Sequence, residues 1–136
     1  MRQDIASTTK MVGAIGEIKD ILIVDDQELM RLITKNLLRG IGDFRVDEAS
    51  DGKDALEKLR TKSYDLIISD WDMEVMEGIE LLRSVRKDPV LKDVPLIMMT
   101  AEGSPERIRQ AIDSGASGYM LKPLSRALLI QKINAL

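Results

Sequence analysis

The sequence contains no cysteine and no histidine. Without cysteine the chain cannot form a disulfide or use a thiolate, and without histidine it has no imidazole base and no histidine-ligated metal. The serine-histidine and cysteine-histidine hydrolases are therefore excluded as classes.

The sequence also lacks a basic excess and a long apolar run. Its formal net charge is −3 and its pI is about 5.1, whereas binding along a phosphate backbone requires a concentrated basic surface. No apolar run approaches the length of a membrane span, and the first ten residues contain no apolar core of a signal peptide. We therefore expect a cytoplasmic protein that binds neither nucleic acid nor membrane.

The chain has 136 residues, of which 44% are hydrophobic, and this fits one domain with one core of ordinary size. From about residue 20, short apolar runs alternate with amphipathic segments in five successive pairs. This alternation predicts the α/β class, with a five-stranded parallel sheet and five helices, over residues 20–136. Residues 1–19 stand apart and are predicted to be a mobile extension or a marginal helix.

The strands are predicted at residues 21–24, 44–48, 66–69, 96–99 and 118–121, and the helices at 28–39, 53–60, 79–86, 105–114 and 126–135. Three residue choices mark helix ends. Gly40 suits a helix C-cap, Ser104 precedes a proline at the first helical position, and Ser125 is a candidate N-cap.

Polar residues follow four of the predicted strands: Asp25 and Asp26, then Asp70, Thr100 and Lys122. Ligands of parallel α/β sheets bind outside the carboxyl ends of the strands, so these side chains are expected to meet at one edge. Two carboxylates about 4 Å apart repel by roughly 4 kcal/mol at an effective dielectric near 20. A hard cation such as Mg²⁺ relieves this repulsion, because it prefers oxygen ligands.

Lys122 adds a second positive charge, and the Thr100 hydroxyl adds a donor. Together with a metal they leave a pocket for an anion with tetrahedral oxygens, which is the requirement of a phosphoryl-transfer site. Each residue alone also has a structural interpretation: solvated turn acids, a capping aspartate, a hydroxyl that closes a turn, a surface lysine. These interpretations explain the residues singly but do not explain the set.

Four segments carry a resemblance to a known family: LIVDDQELMR, IISDWDMEVMEGIELLRSVR, PLIMMTAEG and GASGYMLKP. In this order they resemble the response-regulator receiver family, and especially the single-domain chemotaxis response regulators, across residues 20–136. The resemblance implies a doubly wound, flavodoxin-like sheet with strand order 2-1-3-4-5. It also implies a Mg²⁺-dependent phosphoacceptor in a two-component phosphorelay from histidine to aspartate, which catalyses its own phosphorylation and dephosphorylation stoichiometrically and is not a conventional enzyme.

Residue by residue, the resemblance makes Asp70 the phosphoacceptor and, with Thr100 and Lys122, part of the catalytic set. Asp26, Asp70 and the backbone carbonyl of Asp72 would ligate Mg²⁺, and Asp25 would act through water. Lys122 would hold a phosphoryl oxygen.

The resemblance also assigns a switch. Thr100 would swing to the phosphate, Tyr119 would follow it inward, and the output face would be helix 4, strand 5 and helix 5. Tyr119 also has a structural interpretation, as an edge aromatic that fills a gap. Trp71 is either a packing residue or part of a partner surface, and Pro123 belongs to a Lys-Pro peptide that the family commonly keeps in cis.

The chain departs from the family pattern near the site. Glu74 stands where the family usually has proline, and Asp72 stands where chemotaxis relatives have asparagine. Asp72, Glu74 and Glu102 are candidates for tuning the rate of phosphoryl loss. Ser104 and Pro105 replace lysines of those relatives, so binding to a flagellar motor switch does not follow.

The implied partners are a histidine kinase or histidine phosphotransfer protein, and a downstream protein of unknown identity. Three other interpretations remain open. The chain is also consistent with a receiver cut from a larger regulator, or with an interaction module whose phosphorylation is vestigial. Asp70-Trp71-Asp72 also resembles the nucleophile motif of haloacid-dehalogenase-type phosphatases, although the pair Asp25-Asp26 precedes that motif here and follows the lysine there.

Overall fold

The structure is a computed structural model that describes residues 15–136. Its strands and helices alternate along the chain: β1 (Asp20–Val24), α1 (Glu28–Arg39), β2 (Arg45–Ala49), α2 (Gly52–Thr61), β3 (Leu66–Asp70), α3 (Gly78–Lys87), β4 (Leu96–Thr100), α4 (Pro105–Asp113), β5 (Gly118–Leu121) and α5 (Arg126–Asn134). The predicted α/β class is confirmed. None of the helices within residues 15–136 has the length and apolar character needed to cross a membrane.

The five strands form one parallel sheet in the order β2-β1-β3-β4-β5, as the resemblance implied. Strands β3 and β4 are buried along their whole length. Apolar strands of this kind require cover on both faces of the sheet. Because all strands run in the same direction, their carboxyl ends lie at one edge of the sheet.

The helices cover both faces of the sheet, and each face has its own apolar core. On one face Leu38 of α1 and Leu129 and Ile133 of α5 pack against alternate residues of the strands. On the other face α2, α3 and α4 contribute buried residues, with Ala55 and Leu82 among them. The alternation of side chains along each strand therefore supplies both cores.

The predicted helix caps are confirmed. The Ser104 hydroxyl accepts a hydrogen bond from the Arg107 amide at 3.3 Å, the Ser125 hydroxyl accepts one from the Leu128 amide at 3.1 Å, and Gly40 is the C-cap of α1. Asp51 caps α2 by accepting from the Asp54 amide at 2.8 Å, which was not predicted.

Several predicted boundaries are wrong by one residue. Strand β2 begins at Arg45, one residue later than predicted, and α2 and α3 each extend one residue further at both ends. Asp70 and Thr100 are the last residues of their strands and do not follow them, because the parallel ladder continues through Asp70 beside Met99 and through Thr100 beside Leu121.

The segment before β1 is only partly described, because residues 1–14 lie outside the described part of the chain. Residues 15–17 are helical, so a sixth helical segment adds to the five predicted helices. Ile18 is buried in the core beneath α1 and α5, and Ile15 packs against it. The predicted division of the chain at residue 19 stays a prediction.

Candidate phosphoryl-transfer site

Strands β1 and β3 bring three carboxylates together at the carboxyl edge of the sheet. Val24 pairs with Ser69, so Asp25 and Asp26 directly follow β1 beside Asp70 at the end of β3. Oxygen atoms of Asp25, Asp26 and Asp70 all lie within 4.8 Å of one another. The sequence prediction that these three residues meet is therefore confirmed.

Lys122 reaches the same place from the end of β5. Its Nζ lies 2.9 Å from Oδ1 of Asp70 and 3.9 Å from Oδ2 of Asp25. The peptide between Lys122 and Pro123 is cis, as the resemblance implied. One ammonium thus faces three carboxylates, which leaves the cluster negatively charged.

Asp25 and Asp70 are almost fully buried, with exposed fractions of 1% and 4%. Burial raises the pKa of Asp25, and the nearby charge of Asp70 adds to the increase. Burial also raises the pKa of Asp70, although its hydrogen bond from Lys122 acts in the opposite direction. Both shifts result chiefly from burial, which disfavours the charged form of a carboxyl group.

The cluster fits a divalent cation. Oδ1 of Asp25 accepts from the Gln27 amide at 3.0 Å, but its Oδ2 is buried and has no hydrogen-bond partner in the described chain. Asp26 is exposed, and its Oδ2 accepts a long hydrogen bond from the Glu74 amide at 3.4 Å. Buried oxygens without a partner call for an explanation, and hard oxygen donors at this spacing are ligands that Mg²⁺ prefers.

Thr100 lies at the end of β4, the strand next to Asp70, and is fully buried. Its Oγ1 accepts two hydrogen bonds, from the Glu102 amide at 3.1 Å and from Nη1 of Arg107 at 3.1 Å. A hydroxyl has two acceptor lone pairs and one hydrogen. Since both lone pairs are engaged, the remaining capacity of this hydroxyl is to donate.

Arg107 is the residue of this region that the sequence interpretation missed. From the first turn of α4, its guanidinium forms a two-pronged ion pair with Asp72, at 2.8 and 3.0 Å, and an ion pair with Glu102 at 2.8 Å. It lowers the pKa of Asp72 through these hydrogen bonds. One signal was present in the sequence, because a positive charge in the first turn of a helix is disfavoured by the helix dipole and gains from an acidic partner.

The remaining predicted residues lie around this edge. Trp71 is buried with a 3% exposed fraction and packs in the core beneath Arg107, which selects the packing interpretation. The Tyr119 hydroxyl donates to the carbonyl of Glu102 at 2.7 Å, and its ring is half-buried against the core. Glu74 is exposed. The switch and rate-tuning roles assigned to these residues stay predictions.

Comparison with known proteins matches residues 21–134 to the family model described as response regulator receiver domain. The chain is 44% identical over 124 residues to a chemotaxis protein, CheY-3, of Vibrio cholerae, covering 91% of this chain and 95% of that protein.

Two solved structures bear on the fold and the metal. Chemotaxis protein CheY4 of Vibrio cholerae superposes with a TM-score of 0.79 at 34% identity, covering 85% of this chain and 96% of that one. The receiver domain of a sensor histidine kinase from Pseudomonas aeruginosa superposes with a TM-score of 0.76 at 28% identity, covering 85% and 93% of the two chains. That domain is described with a magnesium ion coordinated in its active site cleft.

Proposed function

This chain belongs to the response regulator receiver domain family, and from that premise we propose that it accepts a phosphoryl group on Asp70 with the help of Mg²⁺. The observation that carries the proposal is the environment of Asp70. It is a buried carboxylate within 2.9 Å of the Lys122 ammonium and beside two further carboxylates. A carboxylate held in this way is a nucleophile facing a site for a divalent cation and an anionic substrate.

In the proposed reaction a carboxylate oxygen of Asp70 attacks the phosphorus of the donor, and the bond from phosphorus to the leaving group breaks with its electron pair on that group. Lys122 stabilises the negative charge of the phosphoryl oxygens, and the Thr100 hydroxyl donates a hydrogen bond to one of them. Asp25, Asp26, Asp70 and the backbone carbonyl of Asp72 are the proposed metal-binding set, with Asp25 acting through water. When bound, Mg²⁺ supplies charge compensation and aligns the phosphoryl oxygens.

The signal is proposed to leave through α4, β5 and α5. Thr100 and Tyr119 connect the phosphoryl site to this side of the sheet, because Tyr119 is anchored to the loop that follows Thr100 by its hydrogen bond to Glu102. A new phosphoryl group attracts the Thr100 hydroxyl and changes the space that the Tyr119 ring can occupy. The response is then a repacked surface.

We propose a histidine kinase or a histidine phosphotransfer protein as the phosphoryl donor, and a protein of unknown identity as the target. The relatives are chemotaxis proteins and match this chain over nearly their full length, which supports a single-domain chemotaxis-like regulator. A receiver of a larger regulator is the second candidate, since a sensor histidine kinase carries a domain of the same fold.

The proposal is tested by intact-mass and peptide mass spectrometry after incubation with Mg²⁺ and acetyl phosphate. We expect the wild type to gain the mass of one phosphoryl group on the peptide that contains Asp70, and Asp70→Asn to gain none, because the substitution removes the nucleophile at nearly constant volume. Undiminished phosphorylation of Asp70→Asn on another residue would contradict the assignment. Repeated turnover of a phosphomonoester would instead indicate the phosphatase interpretation.

A further inference from the structure

Arg107 connects three segments that surround the phosphoryl site. Its Nη1 lies 3.0 Å from Oδ2 of Asp72 and 3.1 Å from Oγ1 of Thr100, its Nη2 lies 2.8 Å from Oδ1 of Asp72, and its Nε lies 2.8 Å from Oε2 of Glu102. The guanidinium carbon also lies 4.6 Å from the centre of the Trp71 ring. One side chain of α4 therefore contacts the loop after β3, the end of β4 and the loop after β4.

The pair between Arg107 and Asp72 differs from an ordinary surface ion pair. The guanidinium of Arg107 donates to both carboxylate oxygens of Asp72. The guanidinium carbon also lies over the aromatic ring of Trp71. The exposed fraction of the Arg107 side chain is 23%, against 57% for Asp72. A planar, stacked and two-pronged pair holds its carboxylate in one orientation, which a lysine cannot do in the same way. Asp72 is thus fixed although it borders solvent.

We propose that Arg107 is a positioning residue that lengthens the life of the phosphoryl group on Asp70, because it engages the Asp72 carboxylate in a two-pronged ion pair and so keeps this carboxylate from acting as the base for the hydrolytic water. This inference rests on the proposed function. Asp72 is two residues from the acceptor along the chain, and Nη1 of Arg107 joins its carboxylate, at 3.0 Å, to the Thr100 hydroxyl, at 3.1 Å. A carboxylate at this edge can orient a water and accept its proton once the arginine releases it.

The hydrolysis transfers the phosphoryl group from Asp70 to water. The water oxygen bonds to phosphorus, the bond from phosphorus to the Asp70 oxygen breaks, and its electron pair restores the Asp70 carboxylate. The proton lost by the water passes to Asp72 and from there to solvent, so the products are the original side chain and inorganic phosphate. Arg107 reduces the rate by donating to both oxygens of Asp72, which fixes the orientation of the carboxylate and makes the atoms that would accept this proton less basic.

Arg107 also donates to Thr100, so its removal affects a second contact. Oγ1 of Thr100 would keep the Glu102 amide as a donor and would lose one of its two acceptor bonds. The Asp72→Asn background separates the loss of the Asp72 pair from the loss of the Thr100 contact. An amide at position 72 cannot act as the base, whereas Arg107 can still donate to Thr100, so removal of Arg107 in this background tests the Thr100 contact alone. The dependence on Asp72 is therefore the property that identifies the proposed role.

The experiment measures the half-life of the aspartyl phosphate after removal of acetyl phosphate, in the presence of Mg²⁺, by intact-mass spectrometry. We expect Arg107→Met to shorten the half-life about fivefold, a small part of the ~100-fold or more available from a well-placed base. Asp72→Asn and the double variant should have equal half-lives. The matched control is Arg109→Met, which removes an exposed arginine of the same helix and should leave the half-life unchanged.

Equal half-lives of wild type and Arg107→Met would overturn the inference, and so would a shortening that persists in the Asp72→Asn background. A purely structural role of Arg107 would lower the urea midpoint without an Asp72-dependent change in half-life, which also overturns it. If Arg107→Met does not fold, Arg107→Lys decides by the same criteria, with an expected shortening of about twofold. Failure of the wild type to accept any phosphoryl group would refute the proposed function and is seen before any half-life is measured.

Discussion

Asp25 and Asp70 are carboxylates whose ionised forms are unfavourable in their buried positions, and their raised pKa values express this. A carboxyl group whose folded-state pKa is raised lowers stability at pH values above that pKa. This cost disappears as the pH falls through the folded-state pKa towards the value of the unfolded chain. Asp25 and Asp70 therefore destabilise the fold that holds them, as is common for perturbed carboxyl groups at functional sites.

At neutral pH and without Mg²⁺, we expect Asp70→Asn to raise the free energy of unfolding by about 1 kcal/mol. The substitution removes a repulsion between carboxylates of a few kcal/mol. The loss of the ion pair between Asp70 and Lys122 offsets most of this gain. The measurement is urea unfolding in EDTA, with the exposed Asp113→Asn as the control. The gain should vanish on acidification, and a gain that is independent of pH would contradict the electrostatic explanation.

The meeting of the strand-end residues could be predicted from the sequence, because it depends only on the order of the strands along the chain and on their shared direction. Strand ends of a parallel sheet share one edge, so Asp25, Asp70 and Lys122 could be placed together without coordinates. The partner of Asp72 could not, because Arg107 is distant in sequence and reaches it through the direction of one long side chain.

At the scale of elements, the junction between β3 and α3 is set by backbone packing. Gly78 is the first residue of α3, and its amide donates to the carbonyl of Trp71 at 2.9 Å. A Cβ at this position would overlap with the carbonyl oxygen of Asp70. The glycine therefore allows the helix to start directly against the strand that carries Asp70.

We expect Gly78→Ala to lower the free energy of unfolding by about 2 kcal/mol, because the overlap involves backbone that cannot yield without moving the site. Gly103→Ala is the control, since its added Cβ would meet only the side chain of the exposed Leu121. Urea unfolding measures stability, and the fluorescence of Trp71, the one tryptophan, reports the loop. Equal losses in both variants would show that the contact with Asp70 is not the cause.

The strands and helices could be predicted from the sequence, whereas the conformation of the loop between β3 and α3 could not. Hydrophobic alternation and capping residues gave every strand and helix between residues 20 and 136 to within one or two residues. They gave no indication of Val75, whose φ of 69° lies in the left-handed region that a β-branched residue rarely adopts. The Met76 amide donates to the carbonyl of Glu74 at 2.8 Å across this tight turn. Nothing in the local sequence, which has no glycine or asparagine at this position, indicates this conformation.

At the scale of the whole molecule, the proposed signal needs several contacts to act together. Moving a two-state equilibrium from 1:99 to 99:1 requires about 5.5 kcal/mol, and one hydrogen bond supplies only about 1 kcal/mol. Lys122 holds Asp70, Thr100 links to Arg107 of α4, and Tyr119 of β5 links to Glu102. In the proposed function, a phosphoryl group on Asp70 would act on all of these contacts, because they lie at one edge of the sheet.

We expect Thr100→Ala to accept the phosphoryl group on Asp70 and to lose most of the structural response, because the hydroxyl is the contact that draws β4 and its loop toward the phosphate. The measurement is the set of amide NMR shifts of residues 108–133 on adding acetyl phosphate and Mg²⁺. Intact-mass spectrometry of the same sample confirms that the variant is phosphorylated. A wild-type pattern of shifts in phosphorylated Thr100→Ala would refute the coupling through Thr100.

The central claim is that phosphorylation of Asp70 repacks the face formed by α4, β5 and α5. Its most direct test is a pair of amide NMR spectra, recorded for wild type and Asp70→Asn with Mg²⁺ before and after adding acetyl phosphate. The expected result is a set of shifts in wild type around Asp70 and across residues 105–134, which reverses as the phosphoryl group is lost and is absent from Asp70→Asn. Shifts of the same size in Asp70→Asn, or a phosphorylated wild type with no shifts beyond the site itself, would contradict the claim.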